Sequence, residues 1–220
     1  MKTLLSLVTL SSLMLLMGAQ RIPGPGGTAP SGGGYTDNFP GSSLSGNWTA
    51  CTLSGFGAPS VGTAGAASPY FTQSVYNAQF SPGNAFLIGY TAGTFGTNQQ
   101  SQASKGGAYS NSGSPLIHFD PSTCNGYGWS GDGQSITKIT GGVITNLTTS
   151  NPCSSTGLFV TNGDVLKLSN IGTTITILDV TNGLSCTAVD GTYTAGYAGL
   201  SGFVGNMFAV TTSWGIWSGQ

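Results

Sequence analysis

The chain contains no glutamate. Its acidic side chains are six aspartates, Asp37, Asp120, Asp132, Asp164, Asp179 and Asp190. Glycosidases usually set two carboxylic acids on either side of the scissile bond. Here no two aspartates stand at a spacing that pairs them, and Asp132, Asp164 and Asp190 each adjoin a glycine in a turn-like context, where the carboxylate shapes the backbone. Charged residues make up 5% of the chain, against about 25% in an ordinary globular domain. The single histidine is His118, and no G-x-S-x-G elbow accompanies it, which argues against serine hydrolysis. The one arginine, Arg21, lies ahead of the candidate domain, so a uronate-neutralising lyase site lacks its cation. The formal net charge of −1 leaves no basic footprint for nucleic acid. Closely spaced cysteine pairs are missing, which argues against a structural zinc site. No cofactor motif is present, and no cofactor or metal is expected. After Ala19 no segment carries the 3.6-residue apolar period of a helix, and no tandem repeat occurs.

What is present is apolar and aromatic material enough for a core, at 38% and 10% of residues, with 37 glycines. Lys2 and the apolar stretch from Leu4 to Met17, followed by small residues at Gly18 and Ala19, read as a secretory signal over 1–19. The run is shorter than the ~20 apolar residues a spanning helix needs, so the mature form is expected to have no membrane span. Residues 20–34 are rich in Gly and Pro and read as a flexible linker. Residues 35–220 form the expected domain. Export to an oxidising compartment makes Cys51, Cys124, Cys153 and Cys186 disulfide partners. Four cysteines allow three connectivities. Cys124 and Cys153 flank the strands of residues 135–147, while Cys51 and Cys186 lie in the outer parts of the domain. The expected pairs are therefore Cys124–Cys153 and Cys51–Cys186.

The stretch from Gly163 to Phe203 organises the reading. Val165, Lys167 and Ser169 alternate with Leu166 and Leu168, and Thr174 and Thr176 alternate with Ile175 and Ile177. A period of two is that of a half-buried strand. Asn182-Gly183 predicts a type I′ hairpin, and Asp190-Gly191 a second turn. Three or four antiparallel strands in succession are expected here. Ala85–Tyr90 is a continuous apolar run and reads as a central strand. Residues 71–80 and 115–120 read as strands, and residues 135–147 as one or two strands around Gly141-Gly142. Residues 91–113 hold almost no bulky apolar side chain and read as a long loop rimming one face, the kind that is often functional.

The order GDVLKL (163–168), Asn182-Gly183 and D-x-x-Y-x-x-G-x-x-G-L (190–200), together with DNFPGSSLSGNWT (37–49), resembles the concanavalin A-like (laminin-G-like) lectin/glucanase superfamily. The resemblance covers both ends of the domain; the middle matches loosely. It implies an all-β antiparallel sandwich of the jelly-roll type, with the first strand beside the last and Trp48 in the core. It also implies sugar binding. The E-x-D-x-E strand of the superfamily's glucanases has no counterpart, which turns the expectation away from catalysis. The acidic residue the family often carries near its last strand is absent after Asp190, which weighs against inherited calcium binding.

Aromatic side chains offer flat apolar faces to sugar rings. Trp129, flanked by Gly128 and Ser130-Gly131, reads as exposed and is the first candidate. Tyr127, Tyr90 and Trp217 join it, as do Tyr109 and Trp214. His118 and Asp120, at i and i+2 on one strand, would share a face and take sugar hydroxyls. The leading expectation is a secreted, non-catalytic protein that binds a polysaccharide or coats a glycan surface. The low charge and the wealth of hydroxyls and amides support a second, a self-associating extracellular subunit. The third is a polysaccharide-active enzyme using His118 or aspartates.

Overall fold

A computed structural model of the chain describes residues 34–37, 45–51, 61–62, 75–78, 85–106, 113–130, 135–148, 153–158, 160–161, 163–203 and 212–220. The expected signal segment and most of the linker lie outside these residues, as does Tyr109.

The described chain is built from antiparallel strands with one 3-10 turn at Cys153–Thr156. In order the strands are β1 (Tyr35–Asp37), β2 (Trp48–Ala50), β3 (Val61–Gly62), β4 (Val75–Ala78), β5 (Ala85–Tyr90), β6 (Gln100–Gly106), β7 (Ser114–Asp120) and β8 (Asn125–Ser130). They continue with β9 (Ser135–Thr140), β10 (Val143–Asn146), β11 (Val165–Ile171), β12 (Thr174–Asp179), β13 (Leu184–Val189), β14 (Tyr197–Phe203) and β15 (Thr212–Gly219). One sheet runs β13-β12-β11-β6-β15-β4-β3, with β1 also paired to β15. The other runs β10-β9-β8-β7-β14-β5-β2. Two antiparallel sheets packed face to face make the jelly-roll sandwich. The first strand does lie beside the last, with Tyr35 opposite Gly219 and Asp37 opposite Trp217.

Alternation decides which side chains fill the space between the sheets. Leu166, Leu168, Ile175, Ile177 and Ala188 point inward from the first sheet, and Phe86, Ile88, Ile117, Tyr127, Trp129, Ile136, Ala198 and Leu200 from the second. Trp48 is buried among them. A second buried cluster, Leu87, Leu116, Phe119 and Ile139 with Cys51 and Cys124, occupies the opposite face of the second sheet.

The strands β11, β12 and β13 form the expected meander, but β14 crosses to the other sheet. The Asn182-Gly183 turn is not a two-residue type I′ hairpin. Asp179 pairs with Leu184 across a longer loop, and of Asn182 and Gly183 only the glycine has positive φ, at 72°. Asp179 organises this loop by accepting from the Thr181 and Asn182 backbone N–H groups and from Asn182 Nδ2. The two-glycine turn between β9 and β10 is the one that takes positive φ twice, at Gly141 and Gly142.

The long loop expected over residues 91–113 contains an interior strand instead. Gln100–Gly106 is β6, hydrogen-bonded to both β11 and β15. Its inward residues are small or polar because they meet Trp217 and the β14 backbone. Ser101 Oγ accepts from Trp217 Nε1 at 2.9 Å and donates to Gly199 O at 2.7 Å.

The disulfides are Cys51–Cys124 and Cys153–Cys186, a correction of the expected pairing. Cys51 follows β2, bonded through its backbone to Leu87 of β5, and shares a face of the second sheet with Cys124. Cys186 is on β13, an outermost strand of the first sheet, and the 3-10 turn carrying Cys153 bridges from there to the second sheet. Order along the chain does not record either neighbourhood.

Candidate functional site

Three connections meet at one end of the sandwich: residues 91–99 between β5 and β6, the turn after β7, and residues 190–196 between β13 and β14. They enclose a pocket of about 470 Å³ lined by Gly93, Thr94, Phe95, Asp120, Ala195, Gly196 and Tyr197. Phe95 and Tyr197 stand edge to face, with ring centroids 6.3 Å apart at 87°. Behind Phe95 an aromatic relay runs into the core. Tyr35 lies 5.4 Å from Phe95 and 5.4 Å from Tyr90. Tyr90 lies 5.0 Å from Trp217, which meets Trp48 at 4.7 Å. Gly93 fits under this relay because a Cβ there would come within 2.8 Å of the Tyr35 ring. The Tyr35 hydroxyl accepts from the Thr94 backbone N–H at 3.1 Å, so the relay also fixes the loop.

Asp120 closes β7 and turns the chain. Its Oδ1 accepts from Ser122 N and Ser122 Oγ at 2.9 and 2.7 Å, and Oδ2 accepts from Thr123 Oγ1 at 2.8 Å. Partial burial works to raise its pKa, but these hydrogen bonds outweigh it and hold the carboxyl below its ordinary value. The pocket thus receives a fixed, ionised, acceptor-only group.

The 190–196 wall is fastened by Asp190. Its Oδ1 accepts from the Tyr127 hydroxyl at 2.6 Å and from Thr192 N at 2.8 Å, while Oδ2 accepts from Lys138 Nζ at 3.1 Å. The Tyr127 hydroxyl in turn accepts from Tyr193 N at 2.9 Å. Burial pushes the Tyr127 phenol up to about 12, and the Asp190 hydrogen bond acts in the same direction. Burial would raise Asp190, yet its bonds to Thr192, Tyr127 and Lys138 hold it well below the usual carboxylate range.

The sequence candidates separate sharply. Trp129, read as exposed, is 4% exposed and packs between the sheets. Gly128, its neighbour along the strand, faces the opposite side of the sheet and says nothing about the face of Trp129; strand parity does. Tyr127 and Trp217 are core residues as well. Tyr90 is half-buried and backs the pocket within the relay. The Trp214 side chain lies outside the described residues. Asp120 lines the pocket, but His118 does not share its face. His118 adopts φ 51° at a break in the β7–β8 register, which breaks the i, i+2 rule and sends the ring inward against Tyr127 at 6.1 Å. Phe95, Tyr35 and Tyr197 were not singled out from sequence. Phe95 is the bulky side chain of a long connection, and Tyr197 follows the glycine of the Y-x-x-G motif; those were the available signals. Among the described residues no group of three or more His, Cys, Asp or Glu side chains comes together as metal ligands.

No protein-family model matches this chain, and no curated protein matches it. Solved structures do. The exoplasmic/lumenal domain of VIP36, in a Ca2+/Man-bound form, aligns with a TM-score of 0.50 at 10% identity over 85% of this chain and 88% of that one. The carbohydrate binding module CBM66 from Bacillus subtilis aligns with a TM-score of 0.48 at 17% identity over 77% of this chain and 92% of that one. A seed lectin of Lotus tetragonolobus gives 0.40 at 9% identity, over 85% and 97%. At such identities the likeness concerns fold. The fold is the concanavalin A-like jelly roll.

Proposed function

From a concanavalin A-like jelly roll we propose a non-catalytic carbohydrate-binding protein whose site is the pocket between residues 91–99, the turn after Asp120 and residues 190–197. The observation that carries this is the pairing of two aromatic faces, Phe95 and Tyr197, with the fixed carboxylate of Asp120 in one open pocket. Aromatic rings take the apolar face of a sugar, and a carboxylate takes its hydroxyls as an acceptor. Ligand sites commonly combine an apolar lining with few placed polar groups. The lectin and carbohydrate-binding neighbours add support to the sugar reading. The lining supplies one carboxyl, and its pKa is lowered. A glycosidic general acid requires the reverse, a carboxyl kept protonated near neutrality. Two disulfides and the signal-like N-terminus support an extracellular or lumenal place of work. A glycan array probed with wild type and with Phe95→Ala and Asp120→Ala tests the reading. Binding that both substitutions weaken supports it, and binding indifferent to both removes the pocket from consideration.

A second reading, self-association, is favoured by β10. It is the outermost strand of the second sheet, and its side chains are exposed, including Val143 at 67% and Ile144 at 48%. Apolar exposed edge strands are templates for pairing between chains. Sedimentation of wild type against Ile144→Lys checks it. An assembly that the lysine dissolves supports this reading, and a monomer at all concentrations ends it.

A further inference from the structure

We propose that His118 is a positioning residue of the pocket, and that adding a proton to its ring opens the pocket and releases the bound sugar. The sugar is taken from the reading above; the opening itself does not depend on it.

His118 is coupled to the pocket through Gln99 and through its own backbone. The His118 N–H donates to Gln99 Oε1 at 2.8 Å, and Gln99 Nε2 donates to Gly196 O at 2.9 Å. Gln99 is itself fully buried, and its backbone N–H donates to Asn170 Oδ1 at 2.8 Å. Gly196 sits so close to the His118 backbone that a Cβ would come 2.5 Å from its carbonyl carbon. Asp120 follows two residues along the same strand. Two lining residues, Gly196 and Asp120, therefore hang on the His118 bulge, and they cannot keep their positions if it moves.

The ring is in no position to accept a charge. It is 1% exposed, and neither Nδ1 nor Nε2 has a hydrogen-bond partner. Against the ring lie Tyr127 of β8 and Asn170 of β11, while Gln99, just ahead of β6, and Gly196, ahead of β14, meet the His118 backbone. None is a carboxylate, and the Tyr127 phenol stays neutral up to about 12. Asp190 lies on the far side of that phenol, engaged by Thr192 and Lys138. Asp120, on the histidine's own strand, is turned to Ser122 and Thr123. The charged groups that β6 and β11 carry, Lys105 and Lys167, are cations and offer an imidazolium no counter-ion. A buried imidazolium with no partner is unfavourable, so a protonated ring must reach water, and the bulge must open to let it.

Burial lowers the His118 pKa, with the Asn170 side chain, beside it but outside hydrogen-bond geometry, working weakly the other way. The open state takes up the proton first. The closed pocket is favoured above the unperturbed histidine value of about 6.5 and loses ground as the pH falls below it. No other side chain competes in that window, because the chain has one histidine and no glutamate, and aspartates titrate near 4.

The experiment is sugar affinity from pH 7.5 to 5 for wild type, His118→Phe and His118→Asn, together with the single imidazole resonance in proton NMR. Wild-type affinity should fall below pH 6.5, by at most about tenfold per pH unit for one coupled proton. A folded variant without the imidazole should bind with no such dependence. Asparagine tolerates the left-handed backbone and serves if His118→Phe fails to fold. Affinity that is flat with pH in wild type overturns the proposal, as does an unchanged pH profile in a folded variant or an imidazole that titrates as in a free peptide. If no sugar binds at any pH, the carbohydrate reading fails, and amide exchange at Asp120 and Gly196 decides the opening alone. Opening that increases below pH 6.5 in wild type but not in the variant supports it, and opening insensitive to pH sinks it.

Discussion

Trp217 donates its indole hydrogen to Ser101 Oγ, and the same oxygen donates to the Gly199 carbonyl of the facing sheet. One serine hydroxyl thus joins β15, β6 and β14. Ser101→Ala leaves the buried indole N–H without its partner. The expected loss is about 1–3 kcal/mol of stability, read from the denaturant midpoint at unchanged slope. A midpoint equal to wild type would show that the indole finds another acceptor and that the hydroxyl is dispensable.

That contact also explains why β6 was not legible in the sequence. Gln99-Gln100-Ser101-Gln102 lacks the apolar alternation of a half-buried strand, because its inward polar groups are satisfied by partners 19 to 116 residues away along the chain. The Gly163–Phe203 strands were legible because Leu166, Leu168, Ile175 and Ile177 carry the period themselves. The sandwich and the neighbouring terminal strands followed from that pattern and from the resemblance. The site was half legible. Asp120 was found, but the bulge at His118 defeats the i, i+2 rule, and the aromatics that line the pocket, Phe95 of a connection and Tyr197 at the start of β14, are brought together by topology.

The disulfides give a direct check on that topology. Peptide mapping without reduction should find Cys51–Cys124 and Cys153–Cys186. These close separations of 73 and 33 residues, each expected to stabilise by on the order of 4 kcal/mol in the chain-entropy model. Recovery of Cys51–Cys186 would contradict the placement of Cys51 beside Cys124 on one face of the second sheet, in a cluster separate from the one that holds Cys186.

The Tyr127–Asp190 pair predicts alkaline sensitivity. A group whose folded pKa is raised contributes stability that is complete below its unfolded value and is lost as pH rises through the folded one. For Tyr127 that window runs from the ordinary tyrosine value of 10.0 to about 12. Melting temperature should therefore decline across it. Asp190→Asn should narrow the window, since the carboxylate contributes to the raised value, and Tyr127→Phe should remove this component. Phenolate absorbance with the same midpoint in all three proteins would reject the assignment.

The sharpest contrast is between Trp129 and Phe95. Trp129 fills space between the sheets, so Trp129→Ala should cost about 3–5 kcal/mol in stability, the usual range for emptying a large core site. Trp129→Phe should cost less, because the indole N–H it removes has no partner in its buried position, and an unpaired buried donor is unfavourable. Phe95 is half-buried at the pocket wall. Phe95→Ala keeps the core intact and should lower stability far less, while sugar affinity falls by about 2 kcal/mol, typical of losing an aromatic anchor. Melting curves and glycan titration on the three variants separate the two roles. If Trp129→Ala melts like wild type and loses binding, the tryptophan is the anchor and the pocket is not the site. If Phe95→Ala melts and binds like wild type, the aromatic wall contributes nothing to recognition, and the exposed β10 edge becomes the better place to look for a partner.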